Sequence, residues 1–388
     1  MEGLPMEQIE EFYKKCRQCP RKCGVDRKSA VVETKGSVVE CPTGCIETTA
    51  ESQKCGFDTA SGLLNHRSSL GFCRETSDLR IAFAGLHFGE EPLVTVFGGS
   101  GTIFFTGCTL RCAFCQNYQI SQDGFGRVVD CAEFTDICLS LQAAGAENIN
   151  LVTGSHHIPK IAEFLRAARD GGVTIPFCWN SSAYESVEML ELLKGLVTIW
   201  LPDLKTLDRS FSKKLFAAPD YPEAATTAIK WMIENNPLEI KEIPEPPNVK
   251  PAEWAEPGQP RDKILSGVII RHLFMPGHFS ETADVLAWLK ENADARAIIS
   301  LMNQYTPVPF EETPDRLAAR SSALSSIENR LVTAEEDSDI RDLIEAYDFE
   351  YLFYQELTDD TSWLPDFRRP QPFSNKLARP VWHCQHKL

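Results

Sequence analysis

The chain has no surplus of positive charge, no long apolar run and no internal repeat, and the first two absences remove classes of function. Its 39 Lys and Arg are outnumbered by 55 Asp and Glu, for a formal net charge of −16. That balance argues against a general binder of nucleic acid or anionic membrane, while leaving room for a local basic patch. No uninterrupted apolar stretch approaches the roughly 20 residues that span a bilayer. The opening, Met1-Glu-Gly-Leu-Pro-Met-Glu-Gln-Ile-Glu10, has neither a basic nor an apolar signal region, so a cytoplasmic location is expected.

What is present is an ordinary globular composition with an unusual placement of cysteine. At 388 residues, 43% hydrophobic and 24% charged, the chain can bury one large core with additions. Of its 14 cysteines, ten fall before residue 116. In a small secreted chain such density would mean disulfides; at this length and without a visible leader, clustered thiols point to metal.

Cys108-Thr-Leu-Arg-Cys112-Ala-Phe-Cys115 is the most informative cluster. Three thiols at this spacing can ligate three irons of a 4Fe–4S cluster and leave the fourth open to a small molecule. Gly101-Thr-Ile-Phe-Phe-Thr-Gly107 before it reads as a buried strand, so the thiols sit on a loop at a strand's C-terminal end, where parallel α/β folds place their chemistry. A zinc site would want a fourth Cys or His nearby, and Gln116, Asn117 and Tyr118 offer none. Inert packing of buried thiols is the other plain alternative. With its strand context and the aromatic Phe114 before the third cysteine, the motif resembles that of the radical S-adenosylmethionine (SAM) superfamily. The resemblance implies that Phe114 lies beside the adenine of SAM.

Beyond the loop, helical and strand patterns alternate. Helices are expected over 129–144, 158–168, 185–193, 211–216 and 223–234, and from a cap at Ser280 to about 292. Strands are expected over 148–153, 174–179, 197–201, 267–275 and 297–302. Repeated βα units of this length imply an α/β fold with a parallel sheet. Spacing alone leaves an open doubly wound sheet available; the resemblance implies a partial (β/α)6 TIM-like barrel, spanning residues 76–310. Residues 1–75 form a Cys-rich, metal-binding segment, and 311–388 a small C-terminal extension. That extension holds a helix over 335–347, a strand over 349–354 and a Pro-rich tail over 364–380. Residues 238–262, rich in Pro and acid, read as an extended surface insertion.

SAM would need partners for its carboxylate, amine and ribose. Asp203 and Lys205 in Trp200-Leu-Pro-Asp-Leu-Lys205 lie two apart at a strand end and face the same way. Standing alone they would read as an ion pair or helix cap; they also resemble the Asp-x-Lys pair with which glycyl-radical-enzyme activases contact the methionine end of SAM. Asn180 and Ser181 match the Asn-bearing turn of those activases, and Arg271 their Arg-bearing strand ending in Pro-Gly. Many radical SAM proteins carry Gly-Gly-Glu after the second strand, with the Glu on the SAM amine. Here that place reads Thr153-Gly-Ser-His-His-Ile-Pro159. Asp203 or a backbone carbonyl could serve instead, with His156 and His157 as weaker substitutes. Gly89-Glu-Glu-Pro92 has the composition but precedes the first strand of the expected barrel, which excludes it on topology. His272 and His278 read as hydrogen-bonded strand neighbours.

Cys16-Arg-Gln-Cys19-Pro-Arg-Lys-Cys23 and the later Cys73 form a second constellation, suited to a closed four-cysteine site for zinc or an iron–sulfur cluster. Together with Gly-Ser-Gly-Thr-Ile-Phe-Phe before the three-cysteine loop and Phe-Cys-Gln-Asn-Tyr in and after it, this pattern resembles uncharacterised relatives of the pyruvate formate-lyase activating enzyme over about residues 13–310. Cys41, Cys45 and Cys55 fall in an apparent insertion and lean towards a metal-linked role. Cys131, Cys138 and Cys178 read as core, and His383-Cys384-Gln-His386 as a frayed end.

The resemblance implies an enzyme that reductively cleaves SAM to a 5′-deoxyadenosyl radical, which abstracts hydrogen from a substrate. A glycyl-radical activase, and hence a protein substrate, is the first expectation; a peptide or small molecule is the second. An electron donor such as flavodoxin or ferredoxin is the implied partner, with no nucleic acid and no membrane. The rivals are an iron–sulfur protein that carries electrons or senses redox state, and a zinc-scaffolded binding module. No side chain need act as general base.

Overall fold

The computed structural model describes residues 6–28, 70–244, 261–374 and 377–386. Helix α1 (Met6–Lys14) buries Ile9 and Tyr13, four apart on one face. Strand β1 (Arg80–His87) runs antiparallel to β2 (Ser100–Phe105), which leads into the three-cysteine loop. Then follow α2 (Tyr118–Ser121), β3 (Arg127–Val128), α3 (Cys131–Ala143), β4 (Ile149–Val152), α4 (Ile158–Asp170) and β5 (Phe177–Ser181). Next come α5 (Val187–Leu190) with a 3-10 turn (Glu191–Leu193), β6 (Val197–Pro202), α6 (Arg209–Phe216), α7 (Tyr221–Asn235) and β7 (Glu239–Ile243). The remainder is β8 (Arg261–Leu273), α8 (Phe279–Asn292), β9 (Ile298–Met302), α9 (Pro314–Leu324), α10 (Ala334–Tyr347), β10 (Leu352–Tyr354) and β11 (Ala378–His383).

The strands β2, β4, β5, β6, β8 and β9 pair in parallel and in chain order, and β10 adds one more parallel partner beyond β9. The order never reverses, as it does at the switch point of a doubly wound sheet. It is the progression of a partial barrel, left open between β10 and the antiparallel edge formed by β1 and β11. Alternation along the strands makes two apolar faces. Trp179 and Trp200 pack with the helices, whereas Cys178, Ile199, Leu201, Ile269 and Ile298 gather around Val94 on the other face. Strands buried on both faces are what a parallel sheet requires.

Several expectations shift. Strand β5 begins at Phe177, because Pro176 has no N–H to give the ladder. Helix α8 starts at Phe279 with His278 at its cap, so Ser280 lies inside it. The flanks of the Pro-rich insertion pair as the antiparallel ribbon β7–β8, while residues 245–260 lie outside those described.

The C-terminal tail is a strand rather than a frayed end. β11 pairs with β1, the Cys384 N–H donates to Ala82 O at 3.0 Å, and buried His383 bonds Phe367 O at 3.0 Å. Phe367 and Phe373 stack on Phe83 and Phe104, with Phe104–Phe367 centroids 5.2 Å apart. Among the described residues no helix is long and apolar enough to cross a membrane.

Candidate active site

The three-cysteine loop leaves β2 through Gly107, whose φ of +82° favours glycine and where a Cβ would run into Glu75. Its backbone is held on several sides. The Gly107 N–H donates to Ile120 O at 3.0 Å, Ala113 N–H to Leu215 O at 2.8 Å, and Gln122 Nε2 to Cys112 O at 3.0 Å. Arg320 of α9, itself buried, donates to Ala113 O at 2.7 Å and pairs with Glu312. The C-terminal extension therefore braces the loop directly.

Cys108, Cys112 and Cys115 are free thiols, as are all the cysteines described. Cys108 Sγ accepts the Leu110 N–H at 3.3 Å, and Cys115 Sγ lies 3.3 Å from Ser121 Oγ. Burial pushes the Cys108 thiol up to about 11, against the pull of the Leu110 N–H and nearby charges that include Lys205. Phe114 packs edge-on to Phe216 at 5.9 Å and near Tyr305 at 6.1 Å, an aromatic wall beside the loop.

At the C-terminal ends of β5, β6 and β8 lies a charged layer that is largely but not fully out of water, with the side chains of Asp203, Lys205 and Arg271 21, 19 and 15% exposed. Asp203 Oδ2 accepts from Lys205 Nζ at 2.7 Å and its Oδ1 from Arg271 Nε at 2.9 Å. Arg271 Nη2 also donates to Asn180 Oδ1 at 2.5 Å, and the Asp203 N–H to Ser181 O at 2.9 Å. Burial opposes ionisation of Asp203, but Arg271 and Lys205 together hold its carboxyl below the usual range. The sheet thus brings together Asn180, Ser181, Asp203, Lys205 and Arg271. Lys205 and Asp203 are close enough to act electrostatically on the Cys112 thiol.

Three carboxylates at this layer were not foreseen. Glu90 and Glu91 come within 3.8 and 3.9 Å of Arg271, because the turn after β1 folds back over the inner face of the sheet. The exclusion of Gly89-Glu-Glu-Pro92 on topology is therefore corrected: chain order before β2 does not keep these side chains from the strand ends. Burial raises both carboxyls, and Arg271 draws them back. Glu185, 2% exposed, accepts from Ser155 Oγ of the segment after β4, and its Oε2 is buried without a hydrogen-bond partner. The sequence signal was a Glu inside the otherwise apolar turn Ala183-Tyr184-Glu185.

His156 and His157 face elsewhere. His156 Nε2 meets Thr106 O at 2.7 Å, and His157 contacts Tyr13 and Arg27 at 3.2 Å each. The His157 ring and the His156 carbonyl, which accepts from Arg27 Nη1 at 2.6 Å, pin the N-terminal segment. His272 bridges Leu204 O and Thr282, and His278 meets Ser326 O. Cys138 and Cys178 are fully buried, whereas Cys131 is half-buried at the start of α3.

Cys16, Cys19, Cys23 and Cys73 line one hollow, together with Arg27 and Thr109 of the three-cysteine loop. Cys41, Cys45 and Cys55 lie outside the described residues.

The description "Radical SAM superfamily" matches residues 102–238. An uncharacterised protein of Methanocaldococcus jannaschii is 28% identical over 309 residues, covering 78% of this chain and 77% of its own. Among solved structures, Streptococcus suis SuiB bound to precursor peptide SuiA aligns over 64% of this chain at 13% identity, with a TM-score of 0.43. The aligned part is 46% of SuiB, so this chain spans under half of that protein. A domain of pyruvate-formate lyase-activating enzyme from Bacteroides vulgatus aligns over 52% of this chain and 92% of its own, at 12% identity and a TM-score of 0.32.

Proposed function

We propose, on the match of residues 102–238 to the radical SAM superfamily and on the site's residues, that the protein is an enzyme that cleaves SAM reductively and abstracts hydrogen from a substrate, with a protein glycine as the first candidate. When bound, a 4Fe–4S cluster and SAM supply the one-electron bond cleavage and the hydrogen abstraction. The donor set fits them. Cys108, Cys112 and Cys115 are three undisulfided thiols on one braced loop, enough for three irons and no more. Asp203, Lys205 and Arg271 supply both signs of charge for the amine and carboxylate of SAM, and Asn180 and Ser181 supply donors and acceptors for its ribose or carboxylate. Phe114, with Phe216 and Tyr305, would wall the adenine and keep water out.

The observation that carries the reading is the charged layer itself. Taking an Asp, a Lys and an Arg out of water costs several kcal/mol per ion unless each is well paired. An electron carrier has no use for such a layer beside its cluster, whereas a SAM site does. Glu185, with its unpaired buried oxygen, is the carboxylate best placed to take over from the missing Gly-Gly-Glu. A peptide or small-molecule substrate is the second reading, and flavodoxin or ferredoxin the class of electron donor.

The test is anaerobic reconstitution with iron and sulfide, reduction with dithionite, and addition of SAM. Formation of 5′-deoxyadenosine that disappears in Cys112→Ala is the expected result. A formed cluster that yields no product and whose EPR spectrum does not move on adding SAM would overturn the proposal in favour of an electron carrier.

A further inference from the structure

Arg27 is 1% exposed, and its guanidinium stays charged at any pH the protein meets. Its donors reach Glu75 O at 2.8 Å, His156 O at 2.6 Å, Thr76 O at 2.8 Å and Cys16 Sγ at 3.8 Å. The Glu75 carboxylate is turned to Arg80, 3.1 Å away, and acts on Arg27 only from beyond ion-pair distance. Among the described residues, Arg27 has no carboxylate as ion-pair partner. A buried cation needs an anion beside it. The groups that could become one are the thiols of the adjacent hollow, which lose their protons when they bind metal.

The four thiols are set for that. Cys16, Cys19 and Cys73 are buried and Cys23 half-buried, and none is in a disulfide. The loop is shaped by the Gly24 N–H on Cys16 O at 2.8 Å, the Lys22 N–H on Cys19 O at 3.0 Å, and a φ of +70° at Gly24. The Phe72 N–H donates to Cys23 Sγ at 3.4 Å, the kind of N–H···S bond that stabilises a thiolate. An N–H···S bond and a fixed cation beside the thiols are two of the devices that set the potential of an iron–sulfur cluster, whereas zinc has no redox state to tune.

We propose that Cys16, Cys19, Cys23 and Cys73 hold a second, fully ligated 4Fe–4S cluster, with Arg27 as its buried counter-charge. The site is independent of the open cluster's chemistry but abuts its loop: Arg21 Nε donates to Thr109 O at 3.0 Å, and Arg111 Nη2 to Phe72 O at 2.8 Å. Because reduction adds negative charge, a fixed cation beside the cluster favours the reduced form and raises its potential.

The experiment is metal and sulfide analysis of the full chain, reconstituted anaerobically, alongside a Cys108→Ala/Cys112→Ala/Cys115→Ala variant. The wild type should hold about eight irons and the variant about four, four per cluster. The variant's remaining EPR signal should be indifferent to SAM. A Cys16→Ala/Cys73→Ala variant should keep only the SAM-responsive signal, so failure of this site and failure of the SAM site are told apart. One zinc beside about four irons in the wild type, or about four irons with no other metal, would overturn the proposal even if the variants fail to fold. In the triple variant, Arg27→Gln should move the cluster's midpoint to a more negative potential; an unmoved midpoint would overturn the role of Arg27.

Discussion

Asp203 and Lys205 pair at 2.7 Å, and substitution tells a strand-end ion pair from a SAM contact. Asp203→Asn and Lys205→Met should each weaken SAM binding by roughly tenfold or more, the loss expected for a charge-assisted contact. Titrating SAM against the reduced cluster's EPR signal reads this directly, and a purely structural pair would lower the melting temperature while leaving SAM affinity unchanged. At this scale the sequence exposed whatever is local. Asp203 and Lys205 are two apart just past the end of β6, and Asn180 and Ser181 are the last two residues of β5. The partners of Arg271 at Glu90 and Glu91 are some 180 positions away in the chain, and no spacing rule reaches them. His156 and His157 misled for a related reason: a pair of imidazoles near a strand end suggests chemistry, but their partners, Tyr13, Arg27 and Thr106, come from other elements.

Helix α10 is a case where sequence and geometry coincide. Thr333 and Glu336 form a reciprocal capping box, and Glu336 also accepts the Gly277 N–H at 2.7 Å, tying the helix to the turn after β8. Burial pushes the Glu336 carboxyl up, but Arg330 and the Thr333 and Gly277 N–H groups outweigh it and hold it at about 2, below its ordinary 4.5. A depressed carboxyl stabilises the fold above its unfolded pKa, and that share is lost as pH falls from about 4.5 towards 2. His272 adds a second window. Burial depresses it from 6.5 to about 4, so the neutral ring costs nothing at neutral pH and its unfavourable protonation erodes stability between those values. Urea midpoints measured from pH 7 down to pH 3 should therefore fall in two overlapping stages, and Glu336→Gln should flatten the lower one. A profile left unaltered by that substitution would show the contact to be unimportant. The helix was readable because its cap lies within four residues; the ribbon β7–β8 was not, because its pairing spans the Pro-rich segment.

At the scale of the whole molecule, the parallel sheet was legible because each crossover joins neighbouring strands, so local periodicity implies global order. The antiparallel edge was not, since β1 finds β11 only through a pairing such as Phe83 with His383. Phe367 is fully buried among Phe104 and Phe373, where it fastens the returning tail to the sheet. Phe367→Ala should cost about 3–5 kcal/mol, the usual range for emptying an aromatic core site, and calorimetry would reveal it as a large drop in melting temperature. A loss under 1 kcal/mol would mean the tail is held by its strand alone. The same return of the chain sets an order of events during synthesis. Strands β2 to β9 can assemble as they leave the ribosome, and β3 covers Arg80 and Ile81 of β1, but the edge of β1 from Phe83 to His87 stays unpaired until residues 378–383 have emerged. Closing so distant a contact is slow, and an open strand edge is a template for pairing with other chains. Among the described strands, the last to be made is thus the one that shields the first.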